Sequence, residues 1–140
     1  MDKFEKVGVI YTAHSKYNFY ARKMISAYVL EHNYLPLNPF TNWDYFLNDM
    51  VNRELIIRAN NNLIYKSDEL WQFGEISDGC YQEIELAMKL GIKIRFFSVG
   101  KKISDIKELN LDQLTFEDEL KNKIDVDECI KKIKDYRSKL

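Results

Sequence analysis

The chain has 140 residues, 46% of them hydrophobic and 14% aromatic, with 21 basic against 22 acidic side chains and a net charge of −1. That length suits a single domain, residues 1–140, able to bury roughly two-thirds of its unfolded surface in one core, and the balanced charge excludes a disordered polyelectrolyte and a basic binder of nucleic-acid backbones. No apolar run approaches the ~20 residues of a membrane span, and the polar start MDKFEK has no apolar signal core, so a cytoplasmic protein without membrane contact is expected.

Residues 6–12, KVGVIYT, form a short β-branched run that predicts a buried strand, breaking into the polar loop AHSKYN. Residues 19–31 carry apolar side chains at helical spacing and end near His32 and Asn33. Residues 34–37 read as a second strand, closed by Pro36 and Pro39 and followed by the aromatic loop NPFTNWDYF. The segment from 44 to about 65 is helical in period, with a break near Asn48 and Asp49, and Asn60, Asn61 and Asn62 mark fraying or a turn. Residues 69–73, ELWQF, predict the third strand; GEISDG follows, then a helix over 79–90 that Gly91 terminates, then a fourth strand in KIRFFSV. The tail offers a short edge strand at 113–116 and a charged amphipathic helix over 126–137. Strand and helix thus alternate, which implies an α/β fold: a mostly parallel sheet of four to five strands with helices on both faces.

Ligands of such sheets lie beyond the carboxyl ends of the strands, where strand order reverses. The loops after the first three strands meet there, and they place Tyr11, His14, Ser15, Trp43, Asp44, Ser77, Asp78 and Glu83 around one cleft. The helix that opens near Asp78 has free amide donors and a cap in Ser77 or Asp78, an arrangement that can hold an anion. Glu83, one turn in, leans back toward the helix start and into the cleft, because helical side chains tilt toward the N-terminus.

Plainer readings stand beside these. Glu83 can be a solvated helix-start acid favoured by the macrodipole, Asp68 a cap before a strand, and Tyr11 a core aromatic. Trp43, Phe40, Tyr45 and Trp71 can stack on a base or simply pack. Cys80, at a helix N-terminus, is a nucleophile only if its pKa falls and His14 serves as its base. The two cysteines, Cys80 and Cys129, stand far apart without a CxxC, and His14 and His32 are isolated, so neither a zinc site nor a disulfide framework is expected. Neither GxGxxG nor GxxxxGK[ST] occurs, which disfavours dinucleotide and P-loop chemistry. Chemistry without metal or cofactor is the expectation.

The stretch SDELWQFGEISDGCYQEIELAMKLGIKIRFF, with an acid before a strand, a Gly-containing turn and then G-x-x-x-E-x-x-x-A opening a helix, resembles the core of the nucleoside 2-deoxyribosyltransferase-like superfamily. The matching positions are Asp68, Gly79, Glu83 and Ala87, while VGVIYTAHSKYNFYARKM and YLPLNPF resemble the family's first strand and substrate loop. The resemblance spans roughly residues 7–98. It implies a flavodoxin-like doubly wound fold and N-glycosidic chemistry on a nucleoside or nucleotide, with Glu83 as the nucleophile. It further implies that Tyr11 orients that glutamate and that Asp68 protonates the departing base or anchors the substrate. Some members carry another acid six residues before the nucleophile. Ser77 stands there in this chain, with Asp78 adjacent. No glycine-rich phosphate loop occurs in AHSKYNF, which leaves Lys16, Arg22 and Lys23 as the nearby cations. The resemblance also implies a homodimer or larger homo-oligomer. The alternatives to an enzyme are a non-catalytic module that binds or sequesters a nucleotide-derived ligand, and an assembly protein that uses its aromatic loop as an interface.

Overall fold

The computed structural model describes residues 1–140. Its centre is an all-parallel sheet of four strands in the order β2-β1-β3-β4: β1 Val9–Ala13, β2 Leu35–Leu37, β3 Glu69–Phe73 and β4 Lys93–Phe97. In register, Tyr11 lies beside Leu37 on one side and Leu70 on the other, and Leu70 lies beside Ile94. Side chains alternate across the pleat, so each strand feeds two cores. Ile10, Trp71, Phe73 and Phe97 meet Ile25 and Val29 of α1 (Arg22–Glu31). Tyr11, Leu70, Ile94 and Phe96 meet the opposite layer, built from α3 (Arg53–Tyr65), α4 (Asp78–Lys89) and α6 (Val126–Ser138). The first connection runs on one face and the next two on the other, which is the doubly wound arrangement expected of right-handed crossovers that reverse direction at β1.

Local chemistry sets the helix limits. Asn52 caps α3 by accepting from the Glu54 N–H at 2.9 Å, Ser77 caps α4 by accepting from the Cys80 N–H at 3.1 Å, and Asp125 caps α6 by accepting from the Glu128 N–H at 3.2 Å. Gly91, at φ +73°, turns the chain out of α4 in a conformation that other residues adopt only with strain. Two short helices, α2 (Pro39–Asn42) and α5 (Asp118–Lys121), complete the set. No helix is long and apolar enough to cross a membrane.

Three segments depart from the sequence-based expectation. The helix before β3 begins only at Arg53, and Asp44–Asp49 instead runs through six consecutive residues with positive φ. Each such residue costs about 1–2 kcal/mol outside glycine. The turn is held by aromatic packing among Phe40, Tyr45, Phe46 and Phe19, with centroid separations of 4.9–5.9 Å. Asn60, Asn61 and Asn62 lie inside α3 rather than at a turn. Residues 113–116 contribute a single bridge, Phe116 to Ile76, not a strand.

The two sheet borders are blunted in different ways. On β4 the outward carbonyls of Ile94 and Phe96 accept from the Arg137 guanidinium and the Leu109 N–H, both at 2.8 Å. The other border strand, β2, is three residues long and contains Pro36, which has no N–H to offer.

Candidate active site

Tyr11 is the starting point. It occupies the middle of β1, fully buried, on the face covered by α3 and α4. On α4 the buried stripe runs Cys80, Tyr81, Ile84 and Ala87, and Glu83 lies at its flank, half-buried, with its carboxylate directed back over β1. The Tyr11 hydroxyl donates to Glu83 Oε2. Asn60 Nδ2 from α3 donates to the same oxygen at 3.0 Å and also to the Tyr11 hydroxyl, so its two amide hydrogens serve two acceptors. The Trp43 indole N–H donates to Asn60 Oδ1 at 3.0 Å.

Both donors to Glu83 converge on Oε2. Oε1 makes no hydrogen bond within the protein, yet it is not a buried unpartnered atom; Gln72 Oε1 alone has that status. Oε1 therefore keeps some exposure to solvent. Burial raises the Glu83 carboxyl from 4.5 to about 7, with the Tyr11 and Asn60 hydrogen bonds pulling the other way. Burial, and then the Glu83 charge, hold Tyr11 well above its ordinary value, so its hydroxyl keeps the proton it donates. Chemically this is a carboxylate with one oxygen fixed and the other free, near its ionisation midpoint at neutral pH, a combination suited to a nucleophile or a general base.

The other expected residues fall into three groups. Trp43 joins the cluster through Asn60. His14, Ser15, Ser77, Asp78 and Gly79 lie on the loops and helix start beyond β1 and β3, several with structural tasks. The His14 ring is buried, donates through Nδ1 to the Ser15 carbonyl at 2.9 Å, accepts from Asn38 at 3.0 Å and stacks on Phe40, all of which fit a neutral imidazole. Burial also lowers its pKa. Ser15 and Ser77 cap helical turns, and Asp78 pairs with Lys123 at 3.3 Å. Asp44 is exposed at the start of the left-handed turn.

Asp68 is placed elsewhere. It precedes β3, hence lies at the amino end of a parallel sheet whose cleft is at the carboxyl end, and its Oδ2 accepts from the Val9 N–H at 2.7 Å. There it borders an open groove of about 870 Å³ shared with Lys93, Arg95, Glu108 and Arg137. A smaller cavity of about 390 Å³ lies at the carboxyl ends, against Ser15, Asn18, Gly74, Glu75 and Ser98. Trp71 is buried in the α1-side core and cannot stack on a ligand. Cys80 is buried with its thiol pushed up to about 12, chiefly by burial and then by Glu83, so it is a neutral packing group rather than a nucleophile. No three His, Cys, Asp or Glu side chains converge as metal ligands.

Asn60 is the member of the cluster that the sequence expectation left out. Its signal lay in spacing: Ile56, Asn60 and Ile64 recur every fourth residue, and the outer two are buried, so Asn60 interrupts an apolar stripe with an amide that needs partners.

No curated protein matches the sequence. Among solved structures, the 2-deoxyribosyltransferase of the psychrotolerant bacterium Bacillus psychrosaccharolyticus is similar at 18% identity and a TM-score of 0.55, over 86% of this chain and 95% of that one. The CMP N-glycosidase of Clostridium botulinum is similar at 17% identity and a TM-score of 0.47, over 64% of this chain and 71% of that one. The first likeness is one of fold, a deoxyribosyltransferase-like α/β architecture around a parallel sheet. Residues 9–97, from the first residue of β1 to the last of β4 and so including Tyr11, Asn60 and Glu83, match the model of a domain of unknown function, and the chain belongs to that family, DUF7768.

Proposed function

We propose that this protein cleaves or transfers the N-glycosidic bond of a nucleoside or nucleotide, with Glu83 as the nucleophile. The observation that carries the reading is the asymmetry of the Glu83 carboxylate, whose Oε2 is held by Tyr11 and Asn60 while Oε1 has no protein partner and is not fully buried. In this mechanism Oε1 attacks the anomeric carbon, the bond from that carbon to the base breaks, and its electron pair leaves with the base, which takes a proton from water. Water or a second base then attacks the same carbon and gives its proton to the hydroxide left by the first step, Oε1 departs with the ester bond's electrons, and the carboxylate is restored. Donors fixed on Oε2 keep the carboxylate in one orientation throughout, which lowers the entropic part of the barrier. The fold shared with a 2-deoxyribosyltransferase supports the assignment. Asp68 has no part in it, because it lies at the other end of β3.

The test is incubation with a panel of nucleosides and nucleoside monophosphates, followed by chromatography for free base. Release is expected from at least one compound and is expected to vanish in Glu83→Ala; release that persists in the variant would refute Glu83 as nucleophile. Ser77, rather than an acid, six residues before Glu83 favours one competing reading, a module that binds a nucleotide-derived ligand without cleaving it. Calorimetric binding of a nucleotide with no base released would select that reading. Self-association belongs to the same proposal, supported by Met50, Leu55 and Ile57, which are exposed at and just before the start of α3.

A further inference from the structure

We propose that Asn60 is a positioning residue for Glu83 and that Trp43 fixes which way its amide faces, so that the loop after β2 is mechanically linked to the nucleophile. This rests on the reading of Glu83 given above. An asparagine amide has a donor end and an acceptor end of nearly equal size, and packing alone does not distinguish them. Reversed, Asn60 would set its carbonyl oxygen against Glu83 Oε2, two acceptors in contact with a negative charge on one of them. The Trp43 indole nitrogen is a donor only, and at 3.0 Å it requires the amide oxygen to face it. The NH2 end is then directed at Glu83 and Tyr11, where both of its hydrogens are used.

Trp43 follows α2 directly and belongs to the segment that carries Phe40, Tyr45 and Phe46. These rings pack on one another, on Phe19 and, through Phe40, on His14. A ligand or partner that shifts this segment withdraws the indole N–H and frees the amide to turn. The titratable groups that face Glu83 are Tyr11 from β1 and Cys80 from α4 itself, both held protonated by burial, and α3 contributes the neutral Asn60. The ionisation of Glu83 therefore registers the loop's position without a competing titration.

The test is carbon NMR titration of the full chain with carboxyl-labelled glutamate, the Glu83 signal being assigned by its loss in Glu83→Gln. Asn60→Leu removes the donor at similar volume, and Trp43→Phe keeps an aromatic ring and removes only the N–H. The Glu83 midpoint should rise by about one unit in Asn60→Leu, the equivalent of one charge-assisted hydrogen bond, and by a smaller amount in the same direction in Trp43→Phe. Where base is released, the acid limb of its pH profile should move by the same amounts. Should Asn60→Leu fail to fold, Asn60→Ser and Trp43→Phe carry the same comparison. Midpoints that stay within about 0.2 units of wild type in the folded variants would overturn the proposal and leave Asn60 a packing residue, a change too small for a lost hydrogen bond to a charge. Since the titration needs no substrate, a shifted midpoint in a protein that releases no base would sink the glycosidic reading alone.

Discussion

The two faces of the sheet treat their acids in opposite ways. On the α1 side, at the β4 border, Glu108 receives two hydrogen bonds from Arg95, each 2.8 Å, in a half-exposed fork, and that guanidinium holds its carboxyl below the usual range. On the other side Glu83 has only neutral donors, and burial pushes it up to about 7. A carboxylate matched to a guanidinium is committed to its charge and to one geometry. One matched to a phenol and an amide keeps a free oxygen and a protonation state that changes near neutral pH. Charge density alone would have singled out the groove along β4, with Lys93, Arg95 and Arg137 around it; the Glu83 cluster has no cation among its hydrogen-bond partners.

The largest effect expected is on turnover. Glu83→Gln should reduce base release by on the order of a thousandfold, while Glu108→Gln leaves it unchanged; similar losses in both would erase the contrast between the two faces. Since only the ionised carboxylate attacks, release by the wild type should climb with pH and level off above about 7. Tyr11→Phe keeps the ring in its core position and removes one donor, so rates about tenfold to a hundredfold lower are expected, with the pH profile displaced upward.

Stability sharpens the comparison further. The Glu83 carboxyl is raised on folding, so its favourable contribution is complete below its unfolded value of 4.5 and disappears as pH rises through about 7. Glu83→Gln should therefore melt close to wild type at pH 5 and higher than wild type at pH 8. The gain is bounded at about 3 kcal/mol and reduced by the exposure of Oε1. Glu108 runs the other way: its contribution holds at neutral pH and is lost as pH falls. Next in size, Asp68→Asn should cost about 1 kcal/mol through its weakened bond to the Val9 N–H while leaving base release within about twofold. A large loss of release in that variant would return Asp68 to the site. The smallest effect belongs to Arg95→Gln, under about 1 kcal/mol and fading in high salt, read by urea melts.

Much of the scaffold was legible in the chain. The third strand was read with both limits correct because ELWQF is bounded by Ser67 and Asp68 on one side and Gly74 on the other, and α4 was placed to within one residue by its stripe and its cap. The pairing of Tyr11 with Glu83 followed from the resemblance to a known family and from the tilt of helical side chains. Asp68 stands apart from Tyr11 and Glu83, a location legible in the topology, because an acid that precedes a parallel strand lies at that strand's amino end. The segment from Asp44 to Asp49 was not legible, since apolar period is blind to handedness and the turn is imposed by rings distant from it in sequence. Asn60 was passed over because an asparagine run reads locally as a breaker, whereas its meaning depends on the buried neighbours four residues to either side.

The blunted borders of the sheet have a consequence for how copies of this chain can join. With the Ile94 and Phe96 carbonyls already occupied and a proline in the three-residue strand opposite, neither margin presents an uninterrupted ladder onto which a neighbouring molecule can zip. Fibre growth by strand addition is thereby disfavoured at both sides, which leaves helix and loop surfaces to cement any assembly these molecules form.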